Sequence, residues 1–150
     1  MRYRFIDHTA DIAVEVYGED LEELIRNATL AFRDAFVYPE RLKGEEVKEI
    51  EVEDEGESEE EAYEYVLYDW LNELLYLFDV EHFAPVECEV EKEVEKEVEK
   101  GSNVKVRVKG KLKGGKLEEK AVKVEPKAVT LHNFRVERTD GLKAFVVFDI

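Results

Sequence analysis

The sequence predicts an α+β fold: two helices packed on one face of a curved, mostly antiparallel or mixed β-sheet of seven or eight strands. Three observations carry this. Two segments place apolar residues at helical spacing, Leu21 to Phe36 and Tyr65 to Phe78. Most of the remainder alternates apolar with polar residues, as half-buried strands do. Those strands follow one another in the chain with short turns between them, which favours antiparallel neighbours.

Taken in order, Met1 to Ile6 and Ile12 to Tyr17 alternate as strands, with the acidic and polar stretch Asp7-His8-Thr9-Ala10-Asp11 at their junction. From Asp20 the period changes. Leu21, Leu24, Ile25, Ala28, Phe32, Ala35 and Phe36 form one helical face, Asp20 and Glu23 are spaced to cap its start, and Pro39 stops it. Val47 to Glu53 reads as a third strand and Asp54 to Glu60 as an acidic loop. A second helix opens after Ser58, with Glu61 at capping-box spacing, and runs to about Phe78. Its apolar residues cover more than half its circumference, so it is expected to be covered on two sides.

Residues 89–100 are three copies of Glu-Val-Glu-Lys. This low-complexity segment is expected to be a solvated arm, extended rather than helical, joined through Gly101-Ser102 to the alternating stretch Asn103 to Lys113. Gly114-Gly115 reads as a further hairpin turn. Leu117 to Val124, Ala128 to Glu137 and Lys143 to Phe148 complete the strands, all within one domain spanning residues 1–150.

Composition narrows the function. The chain has 150 residues, 44% of them hydrophobic, and 38 acidic residues against 22 basic ones leave a net charge of −16. Such a surface repels phosphate backbones, because nucleic-acid affinity rests largely on Lys and Arg displacing counterions, so autonomous nucleic-acid binding is not expected. Cations and basic protein surfaces are the natural partners. Cys88 is the one cysteine, which rules out an internal disulfide and a cysteine-rich zinc site. With no membrane-length apolar run and no signal-peptide pattern, a cytoplasmic protein is expected. The abundance of Glu and Lys suits a thermophile.

Gly110 to Lys116 fits the spacing of a phosphate-binding loop, but Leu117 stands where a hydroxyl should hold Mg²⁺ and no helix opens there, so the match is dismissed. His8, His82 and His132 lack zinc-protease spacing, and Cys88 reads as a buried strand residue. Carboxylates remain. Asp7 and Asp11 flank His-Thr-Ala, and the sequence closes on Phe148-Asp149-Ile150. If the last strand pairs beside the first two, Asp11, Asp149 and the carboxylate of Ile150 converge. Three anions at close range repel unless a cation sits among them, and all-oxygen ligation selects Ca²⁺, Mg²⁺ or Mn²⁺ over zinc.

Three motifs together resemble the archease family: His-Thr-Ala-Asp-Ile at 8 to 12 after an N-terminal strand, Pro-Lys-Ala-Val-Thr-Leu-His-Asn-Phe at 126 to 134, and a final Asp plus aliphatic residue. The resemblance covers essentially the whole chain. It implies a non-enzymatic accessory protein of tRNA processing, one that activates an RtcB-type tRNA-splicing RNA ligase by promoting its guanylylation and multiple turnover. It further implies a divalent cation, Ca²⁺ foremost with Mn²⁺ or Mg²⁺ as alternatives, bound through Asp11, Asp149 and Ile150. Lys127 would be a functional position acting on the partner or its nucleotide, and His8 and Asp7, in the same motif, are candidates to support the site without touching the cation. The competing class is a stand-alone metal-dependent phosphoesterase or nuclease built on the same carboxylates.

Overall fold

The computed structural model describes residues 1–6, 11–97 and 103–150. Eight strands and two α-helices follow in the order β1 (Tyr3–Ile6), β2 (Asp11–Gly18), α1 (Leu21–Phe36), β3 (Lys43–Gly56), α2 (Glu59–Asp79), β4 (Phe83–Glu97), β5 (Asn103–Lys116), β6 (Ala128–Val129), β7 (Arg135–Arg138) and β8 (Leu142–Asp149), with single 3₁₀ turns at Pro39–Arg41 and Glu119–Ala121. The α+β expectation holds, and the strands divide between two sheets. One has the order β1-β2-β8-β6, with β7 also on β8; the other is β3-β5-β4. Every strand pairing is antiparallel.

Both helices begin where their caps predict. Asp20 Oδ1 accepts the Glu23 N–H at 2.9 Å, and Ser58 Oγ accepts the Glu61 N–H at 3.1 Å. Each cap satisfies a donor that the first helical turn leaves without a partner. α1 lies between the sheets, packed on β2 and β4, while α2 packs on β3, β5 and β7. Trp70 of α2 is fully buried, and its Nε1–H donates to Thr29 Oγ1 at 2.9 Å. Gly110 makes room for that indole, since a Cβ there would sit 2.3 Å from the ring.

Phe148 of β8 stacks edge-to-face on Phe32 and Phe36 of α1, with ring centroids 5.9 and 5.1 Å away. The residue before Asp149 is therefore locked into the core.

Four expectations need correction. Gly114-Gly115 is no hairpin turn; both glycines lie inside β5 because neighbouring backbones crowd it, and a Cβ on Gly114 would meet the Ala84 carbonyl oxygen at 1.9 Å. Leu117 to Val124 is no strand. Its backbone closes on the end of α1 instead: the Tyr38 N–H donates to Ala121 O at 2.8 Å and the Lys123 N–H to Phe36 O at 2.8 Å. Ala128 to Glu137 is two strands on the same partner, interrupted where the Phe134 N–H turns back onto Leu131 O at 3.2 Å and Asn133 takes a positive φ of 56°. Of the stretch read as an acidic loop, Asp54 to Gly56 is strand, because pairing with β5 carries β3 that far, and Glu59 and Glu60 already belong to α2.

The Glu-Val-Glu-Lys repeat is also more integrated than an arm, as far as Glu97. Its glutamates Glu89, Glu91, Glu93 and Glu95 stand opposite Lys111, Lys109, Arg107 and Lys105 of β5, whose other side meets Glu49, Glu51, Glu53 and Glu55 of β3. A basic stripe thus runs between two acidic ones. Lys105 and Arg107 reach Glu53 at 3.0 and 2.8 Å. Exposed pairs contribute little stability each, so the ladder chiefly specifies register and keeps the outer edges charged against unwanted strand pairing. The intervening positions face α1 and α2, where Lys92 Nζ lies 3.3 Å from Glu22. Residues 98–100 and the expected Gly101-Ser102 turn lie outside the described residues.

Candidate functional site

The chemistry concentrates at one end of the β2–β8 pair. Reading outward, the rungs are Ala13 with Val147, Ile12 with Phe148, and Asp11 with Asp149. Phe148 points into the core, so alternation places both aspartates on the opposite sheet face. Directly opposed residues of antiparallel strands have Cα atoms roughly 4.5–5.5 Å apart. Like charges in such a rung destabilise a sheet unless something offsets them.

Lys127 arrives from the other flank of β8. Its N–H donates to Asp149 O at 2.8 Å, while Ala128 is the register partner of Asp149. Two residues thus oppose one, the arrangement of a β-bulge, which re-aims a side chain at a strand end. Lys127 and Asp149 are exposed, Asp11 is half-buried, and Ile150, next after Asp149, is 40% exposed. The structure therefore brings Asp11, Asp149, Ile150 and Lys127 to one place. Asp7 and His8, the remaining sequence candidates, lie outside the described residues.

The donor chemistry fits a hard cation, because Asp11, Asp149 and the carboxylate of Ile150 offer only oxygen. Among the described residues no group of three His, Cys, Asp or Glu side chains is placed to hold a metal ion.

One titratable pair escaped the sequence reading. Asp54 of β3 sits on the inward face opposite Val106, and Asp69 of α2 adjoins it. Asp54 Oδ2 is shut from solvent without a hydrogen-bond donor among the described residues. Burial first, and the Asp69 carboxylate second, push Asp54 up to about 7. A protonated Asp54 can donate to Asp69, which its ionised form cannot. The available signal was an acid at an inward position of an alternating strand. Cys88 is buried as expected, and burial raises its thiol to about 11, so it holds little thiolate at neutral pH.

Fold and site together define a two-helix, two-sheet α+β protein whose concentrated chemistry is an aspartate rung flanked by a lysine. No described helix is long and apolar enough to cross a membrane. The Archease protein family (MTH1598/TM1083) matches residues 3–150, and the chain belongs to that family. It is 58% identical to the protein archease of Archaeoglobus fulgidus across 100% of both chains. With the protein archease of Methanosarcina barkeri it shares 34% identity over 99% of this chain and 96% of that one. The solution structure of Methanobacterium thermoautotrophicum protein 1598 superposes with a TM-score of 0.69 at 28% identity, covering 99% of this chain and 98% of that one. Membership supports an accessory protein rather than an enzyme.

Proposed function

We propose that this protein activates an RtcB-type, GTP-dependent tRNA-splicing RNA ligase, promoting guanylylation of the ligase and its multiple turnover without catalysing a step itself. The observation that supports this reading best is the pairing that sets Asp11 against Asp149 and seats the Lys127 backbone on Asp149. Asp11, Asp149 and the Ile150 carboxylate would hold a divalent cation, Ca²⁺ foremost with Mn²⁺ or Mg²⁺ as alternatives, and His8 and Asp7 would support that site from the adjoining segment. A divalent cation held there would offset two of the three carboxylate charges on the surface that meets the ligase.

Lys127 adds a compact, mobile ammonium suited to a nucleotide phosphate or a ligase carboxylate. The net charge of −16 steers the protein toward a basic protein surface and away from RNA itself, so it reaches the splicing reaction in the cytoplasm through the ligase. The reading is tested by RNA ligation at limiting ligase with GTP present. Addition of the protein is expected to carry ligation past one turnover. Cleavage of a phosphodiester by the protein alone would instead favour the phosphoesterase or nuclease.

A further inference from the structure

Beyond Val129 the chain stays on β8 for one more residue: the Thr130 N–H donates to Val147 O at 2.9 Å. Val147 in turn opposes Ala13 of β2. Alternation therefore puts Thr130 on the sheet face that carries Asp11 and Asp149, two rungs below them and diagonal to Asp149. Thr130 Oγ1 is shut from solvent and has no hydrogen-bond partner among the described residues. Its neighbours on that rung, Val147 and Ala13, are apolar and 3% and 0% exposed.

A hydroxyl offers one donor and two acceptor positions, and buried polar atoms are normally paired. Valine has nearly the same shape and would fill this place without an orphaned oxygen. The hydroxyl is thus costly unless it meets a group that arrives later. Diagonal residues on antiparallel strands lie about 7–8 Å apart at the backbone, and Thr130 Oγ1 makes no direct bond to Asp149, so one water can bridge the two side chains. Hard cations complete their oxygen shells with water, and groups that hold such ligands from outside the shell commonly change metal affinity about 10- to 100-fold.

We propose that Thr130 is a positioning residue of the Asp11–Asp149 site, its hydroxyl fixing a water on the cation. This rests on the cation reading above. The test is calorimetric titration of chelator-treated, full-length protein with Ca²⁺ and separately with Mn²⁺, for the wild type, Thr130→Val and Thr130→Ser, with melting temperatures taken without cation. Thr130→Val is expected to bind at least about tenfold more weakly while melting no lower than the wild type, and Thr130→Ser, which restores the hydroxyl, to bind within a few-fold of it. Equal affinity in wild type and Thr130→Val would overturn the inference and leave the cation reading standing, as would Thr130→Ser binding as weakly as Thr130→Val. If the wild type binds neither ion, the cation reading itself fails and this inference with it. Should Thr130→Val not fold, Thr130→Ala replaces it in the same titration under the same criterion.

Discussion

Replacing Asp54 by asparagine should stabilise the protein, and only above mildly acidic pH. Asp54 of β3 holds its proton up to about pH 7, against 3.8 for an ordinary aspartate, because burial and the Asp69 carboxylate both oppose its ionisation. An acid with a raised folded-state pKa binds more protons folded than unfolded. Its penalty is therefore absent below about pH 4, grows between about 4 and 7, and is complete above about 7. At full strength that difference is about 4 kcal/mol. Part of the side chain reaches water, and screening brings the realistic figure to about 1–2 kcal/mol. Asparagine keeps the size, cannot ionise, and can donate to Asp69 as the protonated acid does. Urea unfolding of wild type and Asp54→Asn from pH 3.5 to 8.5 should give curves that coincide at the acid end and separate by about 1–2 kcal/mol at the alkaline end, with Asn the more stable. A separation independent of pH, or one favouring aspartate at pH 8, would refute the reasoning. Asp69→Asn removes the neighbouring charge that adds to the effect of burial on Asp54 and should produce a smaller separation of the same sign.

Three further outcomes concern the site. Phe148→Ala should cost about 3–5 kcal/mol of stability in urea titration, since it empties a packed aromatic cluster, and Phe148→Leu less; both should weaken cation binding in proportion to the disorder they bring to Asp149. Lys127→Ala should leave the melting temperature nearly unchanged, with stability within about 0.5 kcal/mol, yet abolish multiple-turnover ligation at limiting ligase, and Lys127→Arg should rescue only part of it. Removing Ile150 moves the chain carboxylate onto Asp149 itself and should weaken Ca²⁺ and Mn²⁺ binding by calorimetry; unchanged affinity would exclude that carboxylate as a ligand.

The parts of the fold governed by local chemistry were legible from the residues. Asp20 and Ser58 announce their helices because a capping side chain acts on donors only three residues away. Strand alternation was equally readable. What failed depended on distant partners. Gly114-Gly115 has the composition of a turn, and only the approach of Ala84 and Gly44 shows why a strand needs glycine there. Leu117 to Val124 alternates convincingly, yet its backbone partners lie at Phe36 and Tyr38, far back in the chain. The repeat at residues 89–100 looked like solvated low complexity because its period-two glutamates make sense only against the period-two cations of β5. The site was half legible. Asp11, Asp149 and Ile150 stood out as anions near strand ends, conditional on β2 pairing with β8, which the structure provides. Lys127 was named from family resemblance alone, and its bulged seat on Asp149 is a matter of register that no local pattern carries.

The proposed function has the protein act on the ligase's own nucleotide chemistry. Its most direct test is the transfer of labelled GMP from GTP to a purified RtcB-type ligase, with and without this protein, read as covalently labelled ligase over time. A clear increase in both rate and final extent is expected with the protein present, and no label on the protein itself. Identical labelling in its presence and absence, under conditions where the ligase alone is competent for a single round, would contradict it.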